Sequence, residues 1–256
     1  MLEAIKLKML CSMCKGVNVQ HVSVGFERGI KMEHTHNVVV TVSRQMASGG
    51  SYIAYSVARK LGFKYLDNEV LYRAANFMGL DVRELSDREE RIDNFITTIA
   101  RSFCFGSAEA PFIYPSGLPV YDLDVFDAEA RIIKEVARTC HVVIVGRAGH
   151  YLLRGHPSLV TVFIHAPLEF RIKRLMDIRN IAENIATAEI RESDKRREKF
   201  LRYHTGLEWT NARNYHLCID TVATSFEEAI EMIVKLVRTK SAASVLNQEL
   251  VNNVEI

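Results

Sequence analysis

Three apolar runs constrain this chain more than any other feature: Asn37-Val38-Val39-Val40-Thr41-Val42, His141-Val142-Val143-Ile144-Val145 and Leu159-Val160-Thr161-Val162-Phe163-Ile164-His165. Each is continuously apolar instead of alternating, as a strand requires when both faces of its sheet are covered. Helical patterns separate them, at about 50–61, 125–138, 167–178, 182–203 and 225–238, and weaker strand signals fall at 63–66 and 216–220. Further helical stretches are expected near 69–78 and 87–103. Strands alternating with helices give a doubly wound α/β fold around a parallel sheet.

Residues 1–36 carry only weak alternation and read as an N-terminal extension. Gly106 to Asp122, with Pro111, Pro115 and Pro119 among glycines and aromatics, cannot sustain a helix and reads as a long surface loop. Residues 241–256 read as a C-terminal tail, a loosely attached helix.

Composition narrows the function classes. The 256 residues are 48% hydrophobic and 25% charged, the balance of a globular chain. Lys plus Arg number 33 against 31 Asp plus Glu, so any polyanion site is local, and a dedicated nucleic-acid partner is disfavoured. No apolar run approaches the ~20 residues of a membrane span, and no signal-peptide order opens the chain; a cytoplasmic address is expected. The five cysteines are an odd set, and Cys140 and Cys218 lie in apolar stretches where a thiol acts as a small hydrophobe. Cys11 and Cys14 have CxxC spacing, but no second CxxC completes a zinc site.

The first strand runs into Ser43-Arg44-Gln45-Met46-Ala47-Ser48-Gly49-Gly50-Ser51, after which the helical period resumes at Ile53, Val57 and Leu61. Paired glycines let a backbone approach an anion, and the first-turn N–H groups and helix dipole attract it. Ser48 and Ser51 add hydroxyls that could cap the helix or reach a metal-bound water. As spacing alone, this is equally ordinary loop chemistry.

The run Val40 to Leu66 followed by Asp67-Asn68-Glu69-Val70-Leu71-Tyr72-Arg73 resembles the opening of cytidylate kinase, and more closely the cytidylate kinase-like family of P-loop proteins, with its Ser-Arg-(Gln/Glu)-x-x-Ser-Gly-Gly turn. Further elements resemble the family in order: Val142 to Arg147, then Val162 to Pro167 with Arg171 and Arg174, then Asp194-Lys195-Arg196-Arg197 with Tyr203-His204-Thr205-Gly206. The similarity spans about residues 37–238, and the P-loop domain is drawn at 37–240 with a helical lid at about 179–213. It implies a five-stranded parallel P-loop kinase sheet, ATP and Mg²⁺ as cofactors, and a nucleoside monophosphate or another small phosphate acceptor as substrate.

The same resemblance distributes roles. Ser43, Arg44, Gln45, Ser48, Gly49, Gly50 and Ser51 would bind the cofactor, and Arg44, Asp67 and Arg196 would serve catalysis. Asp67, Tyr72, Arg73, Arg147, Asp194 and Arg197 would meet the acceptor, with Ser51 and Asp67 on the metal. Each has a plainer reading: an ion pair for Arg73 and Arg147, a helix cap for Asp67, core packing for Tyr72. The six cations between Arg191 and Arg202 stand beside three acids and fit a solvated helix face as well as a lid.

Two departures stand out. Against GxxxxGK[ST], Arg44 replaces the first glycine and Gly50 stands where the lysine belongs. Val145 occupies the place of an Asp before Gly-Arg, and Ala148 that of an acid expected to read cytosine. Two uncompensated losses of ~1.5–3 kcal/mol each would slow transfer by roughly 10²–10⁴. Arg44 is the natural substitute cation. The competing readings are a nucleotide-binding regulator without turnover and an RNA-binding module using the 191–202 face.

Overall fold

The computed structural model describes residues 37–67, 97, 104 and 123–252. Its strands are β1 (Val39–Arg44), β2 (Lys64–Leu66), β3 (Val142–Val145), β4 (Leu159–His165) and β5 (Leu217–Asp220). The helices are α1 (Gly50–Leu61), α2 (Leu123–Thr139), α3 (Gly149–Leu152), α4 (Leu168–Arg179), α5 (Glu183–Thr205) and α6 (Phe226–Asn252). The five strands form one sheet in the order β2-β3-β1-β4-β5, with every pairing parallel. The expected sheet is therefore present, and β1 lies at its centre.

Continuous apolarity in β1 follows from its two covered faces. Val38, Val40 and Val42 pack with Ile53 and Val57 of α1 and Ile233 and Val237 of α6, whereas Val39 packs with Ile132, Ile133 and Val136 of α2. Each such side chain taken from water contributes about 1.5–3 kcal/mol, so neither face can turn polar cheaply. A third cluster, Phe126, Ala148, Phe163, Leu201, Trp209 and Tyr215, joins α2 and the end of α5 to the sheet. A fourth, Leu175, Ala186 and Ile190, joins α4 to α5 and receives Met46 and Ala47 from the turn after β1.

The boundaries of the strands and helices that the periodicity predicts agree to within two residues among the described residues, apart from α6; the short α3 was not expected. Helix α6 runs unbroken from Phe226 to Asn252, where a helix at 225–238 and a separate, loosely attached helix beyond 240 were expected. It starts where it does because Ser225 and Glu228 cap each other: Ser225 N–H donates to Glu228 Oε2 at 2.9 Å, and Glu228 N–H donates to Ser225 Oγ at 3.1 Å.

The cysteines also depart from expectation. Cys140 is bonded to Cys104, Cα–Cα 5.9 Å, inside the α2 face of the core, so it is no isolated hydrophobe. Cys218 is exposed, because β5 is an edge strand with only β4 beside it. The extension at 1–36 with Cys11 and Cys14, the helices expected at 69–78 and 87–103 apart from helical Thr97, the loop at 106–122, and Tyr72 and Arg73 lie outside the described residues. Among the described residues no helix is long and apolar enough to cross a membrane.

Candidate active site

In a parallel sheet, the carboxyl ends of the strands gather at one edge, and β1, the central strand between β3 and β4, opens there into the 45–49 turn. The turn is tied to the β4 and β5 side of the sheet. Gln45 N–H donates to Ile164 O at 3.0 Å, and Ala166 N–H donates to Gln45 Oε1 at 3.3 Å. Ser48 is fully buried; its hydroxyl donates to Gln45 O at 2.9 Å, and its carbonyl accepts from Thr221 Oγ1 at 2.8 Å. Ser43 is buried beside Tyr215, whose hydroxyl donates to Trp209 O at 2.7 Å. Ser43, Gln45 and Ser48 therefore shape the turn from behind, the first buried and the other two hydrogen-bonded to protein.

The front of the turn is different. Gly49 holds φ 85°, and α1 begins at Gly50 with no side-chain cap. Among the described residues, no partner takes the N–H of Ala47, Gly49, Gly50, Ser51 or Tyr52. A run of undonated N–H groups at the start of a 12-residue helix is a cradle for an anion. A β-carbon at Gly49 would meet the Phe226 ring, with Cε1 at 2.8 Å. Phe226 itself lies beneath the Arg174 guanidinium, 4.7 Å from ring centroid to Cζ. Neither Phe226 nor Arg174 stood out as a site residue in the sequence, since a ring contact between distant elements leaves no local pattern.

Arg44 leaves β1 beside this cradle. Its Nε donates to Ser51 Oγ at 3.3 Å, and its Nη1 would lie 2.7 Å from a β-carbon at Gly146, so the side chain spans from the first turn of α1 to the end of β3. Burial lowers its pKa to about 10, helped by the positive charge of Arg197 and, more weakly, Arg147; Tyr65 and Asp67 act in the opposite sense. Among the described residues Arg44 makes no ion pair with a carboxylate. Gly50 is where it is because of Arg44: a β-carbon there would fall 3.0 Å from Arg44 Cγ and closer still to Arg44 Cβ.

β3 ends in three consecutive left-handed residues, Gly146 at φ 81°, Arg147 at φ 52° and Ala148 at φ 53°. Non-glycine residues in that region carry strain, and such strain collects where a side chain must be aimed. Arg147 Nη1 is 3.2 Å from Glu129 Oε2, and its Cζ lies 5.4 Å from the Phe200 ring centre. Glu129, delivered by α2, is half-buried, and its desolvation raises its pKa against the pull of Arg147. It went unnoticed in the sequence because nothing local marks an acid on the inward face of a helix. Ala148 sits in the aromatic cluster, and Val145 is fully buried in the core.

Asp67 comes directly after β2, and the register pairs Leu66 with Ile144, so Asp67 lies beside Val145, the last residue of β3, where an acid was expected. Burial raises the pKa of the neighbouring Tyr65 to about 12, and the Asp67 carboxylate pushes it the same way. On α5, Arg197 turns inward and donates to Asp194 Oδ1 at 3.2 Å. Arg196 is exposed and pairs with Glu192 at 3.2 Å; Arg202 pairs with Glu198 at 3.1 Å. The structure thus gathers Arg44, Ser51, Asp67, Arg147 and Arg197 toward one edge and leaves Arg196 on the solvated face of α5.

A model of the cytidylate kinase-like family matches residues 39–223. The chain belongs to the cytidylate kinase-like family. It is 24% identical over 213 residues to a cytidylate kinase of Sulfolobus acidocaldarius, covering 81% of this chain and 98% of that protein. It is 23% identical over 228 residues to a cytidylate kinase of Aquifex aeolicus, covering 81% and 99%. An uncharacterized protein from Eubacterium ventriosum shares the fold at a TM-score of 0.58 and 19% identity, over 79% of this chain and 99% of that one.

Magnesium in kinase sites keeps several waters and takes one or two protein oxygens plus substrate phosphates, without a dedicated cage. Among the described residues no group of three or more His, Cys, Asp or Glu could hold a metal. Ser51 Oγ touches Arg44, and Asp67 acts electrostatically on Arg44, so one hydroxyl and one carboxylate flank the same guanidinium. That donor set fits a phosphate-borne Mg²⁺.

Proposed function

We propose that this member of the cytidylate kinase-like family transfers the terminal phosphoryl group of ATP to a nucleoside monophosphate or another small phosphate acceptor. The observation that supports it best is the approach of three guanidiniums, Arg44, Arg147 and Arg197, to a turn whose N–H groups are undonated. Like charges brought together and partly desolvated raise the free energy of the empty site, and a polyanion relieves it. Phosphoryl transfer asks for little else, since positioning and positive charge around the migrating group dominate its catalysis.

On this reading the N–H groups of Ala47 and Gly49 to Tyr52 hold the donor phosphates, and Arg44 takes the place of the P-loop lysine at the junction of donor and acceptor. Arg147, aimed by its left-handed turn and steadied by Glu129, binds the acceptor's phosphate. Asp67 supplies the carboxylate that β3 lacks, orienting the acceptor and, with Ser51, holding Mg²⁺, which would neutralise charge on the phosphates. Arg197 is the cation that α5, acting as a lid, brings over the site. Arg73 would join Arg147 at the acceptor phosphate.

Formation of ADP from ATP, measured against a panel of nucleoside monophosphates, tests the reading. Acceptor-dependent ADP formation with CMP or a related monophosphate is expected. ATP binding without turnover for any acceptor would contradict it and leave a regulator.

A further inference from the structure

One carboxylate joins α5 to the turn. Asp194 Oδ1 accepts from Met46 N–H at 2.9 Å and from Arg197 Nη1 at 3.2 Å, while Oδ2 accepts from Arg171 Nη1 at 2.6 Å. Arg171, 6% exposed, spends its other donors on the same place: Nε on Ala166 O at 3.0 Å and Nη1 also on Met46 O at 3.3 Å. Both backbone polar groups of Met46 are therefore held by the Asp194–Arg171 pair. Beside this knot, Ala186 and Ile190 of α5 pack with Leu175 of α4 against Met46 and Ala47. Charge-assisted bonds of this kind are short and strong, and a buried guanidinium stripped of its partner is strongly destabilised.

The position of the tie matters as much as its strength. It takes the N–H at Met46 and leaves the N–H groups of Ala47 and of Gly49 onward undonated. A carboxylate with three of its about four acceptor sites already occupied is poorly placed to recognise a sugar hydroxyl as well.

We propose that Asp194 is a positioning residue: by gripping Met46 N–H on one oxygen and Arg171 on the other, it pins the turn after β1 to α5, holds Arg197 on the same side, and preforms the cradle. This rests on the nucleotide reading only for what the cradle binds; the tie itself is independent of it. Loosening α5 loosens the turn, so donor binding and lid position are coupled through one side chain.

The test compares wild type with Asp194→Asn and with Arg197→Gln, which removes one donor without burying an unpaired charge. Amide hydrogen exchange of the unliganded proteins reads the tie directly. Asp194→Asn should speed exchange in 44–52 by about tenfold or more, the loss of charged hydrogen bonds, while β3 and β4 stay protected. Arg197→Gln should show a smaller rise in the same segment. Calorimetry then reads function: the Kd for ATP with Mg²⁺ should rise roughly tenfold in Asp194→Asn, with the Kd for CMP unchanged. Unchanged exchange at 44–52 overturns the proposal, as does weakened CMP binding with ATP binding intact, which would make Asp194 an acceptor contact. Failure of wild type to bind ATP would sink the nucleotide reading alone, because the exchange measurement still decides the tie.

Discussion

The stem of Arg44 occupies the space that a side chain at position 50 would need: a β-carbon on Gly50 would fall 3.0 Å from Arg44 Cγ, with Ile164 Cβ at 3.3 Å behind it. The two departures from a P-loop, an arginine for the first glycine and a glycine for the lysine, are therefore one exchange. A lysine cannot be restored at 50 while Arg44 stays. Gly50→Lys alone should overpack the turn and lower stability by about 1–3 kcal/mol. Arg44→Gly together with Gly50→Lys should recover much of that loss. Thermal unfolding of the two singles and the double gives the cycle, and strict additivity would contradict the exchange.

Glu129 and Arg147 form a half-buried pair at 3.2 Å, the guanidinium lying against Phe200. Glu129→Gln keeps the shape and removes the charge that steadies Arg147. If Arg147 holds the acceptor phosphate, KM for the acceptor should rise by roughly tenfold, the loss of about 1.4 kcal/mol, with KM for ATP little changed. Steady-state kinetics with each substrate varied in turn checks it.

His150 is buried beside Tyr215, ring centroids 5.0 Å apart, and burial lowers its pKa to about 4. Its Nε2 is buried with no hydrogen-bond partner among the described residues. The unfolded chain binds this proton with a pKa of about 6.5, so below that pH the unfolded state takes up protons that the folded state refuses. Stability should then fall as pH drops from about 6.5 toward 4, by on the order of 3 kcal/mol from this group. His150→Phe should flatten that segment of the curve in urea titrations at stepped pH.

Cys104 and Cys140 close a loop with a sequence separation of 36. In the chain-entropy picture, such a link stabilises by about 4 kcal/mol. Reduction, or Cys104→Ser with Cys140→Ser, should lower the unfolding free energy by an amount of that order. Kinetic constants should stay near wild type, because Cys140 precedes β3 at the edge opposite the arginines.

The fold was legible because its strands are buried on both faces, a condition that leaves a continuous apolar run in β1, β3 and β4. The helix starting at Gly50 was legible from Gly-Gly-Ser followed by a 3.6 period. What escaped notice depends on side chains meeting across elements: Glu129 reaching Arg147, Phe226 covering Gly49, and Asp194 gripping Met46 N–H. Arg196 and Arg197 could not be separated from composition, since adjacent helical positions differ by about 100° and only packing decides which turns inward. Ser43 and Ser48 carried the residue types of a phosphate site, yet both are buried and the Ser48 hydroxyl is committed to Gln45 O. The continuity of α6 was not legible because polar residues beyond 240 weaken the apolar period without breaking the helix.

Binding of ATP with Mg²⁺ to wild type and to Arg44→Ala, by isothermal calorimetry, bears most directly on whether a guanidinium serves this turn in place of an ammonium. Loss of a charge-assisted contact of ~1.5–3 kcal/mol should weaken Arg44→Ala by roughly tenfold to a hundredfold relative to a wild type that binds. Equal affinities in the two proteins, or no binding by wild type, would contradict it.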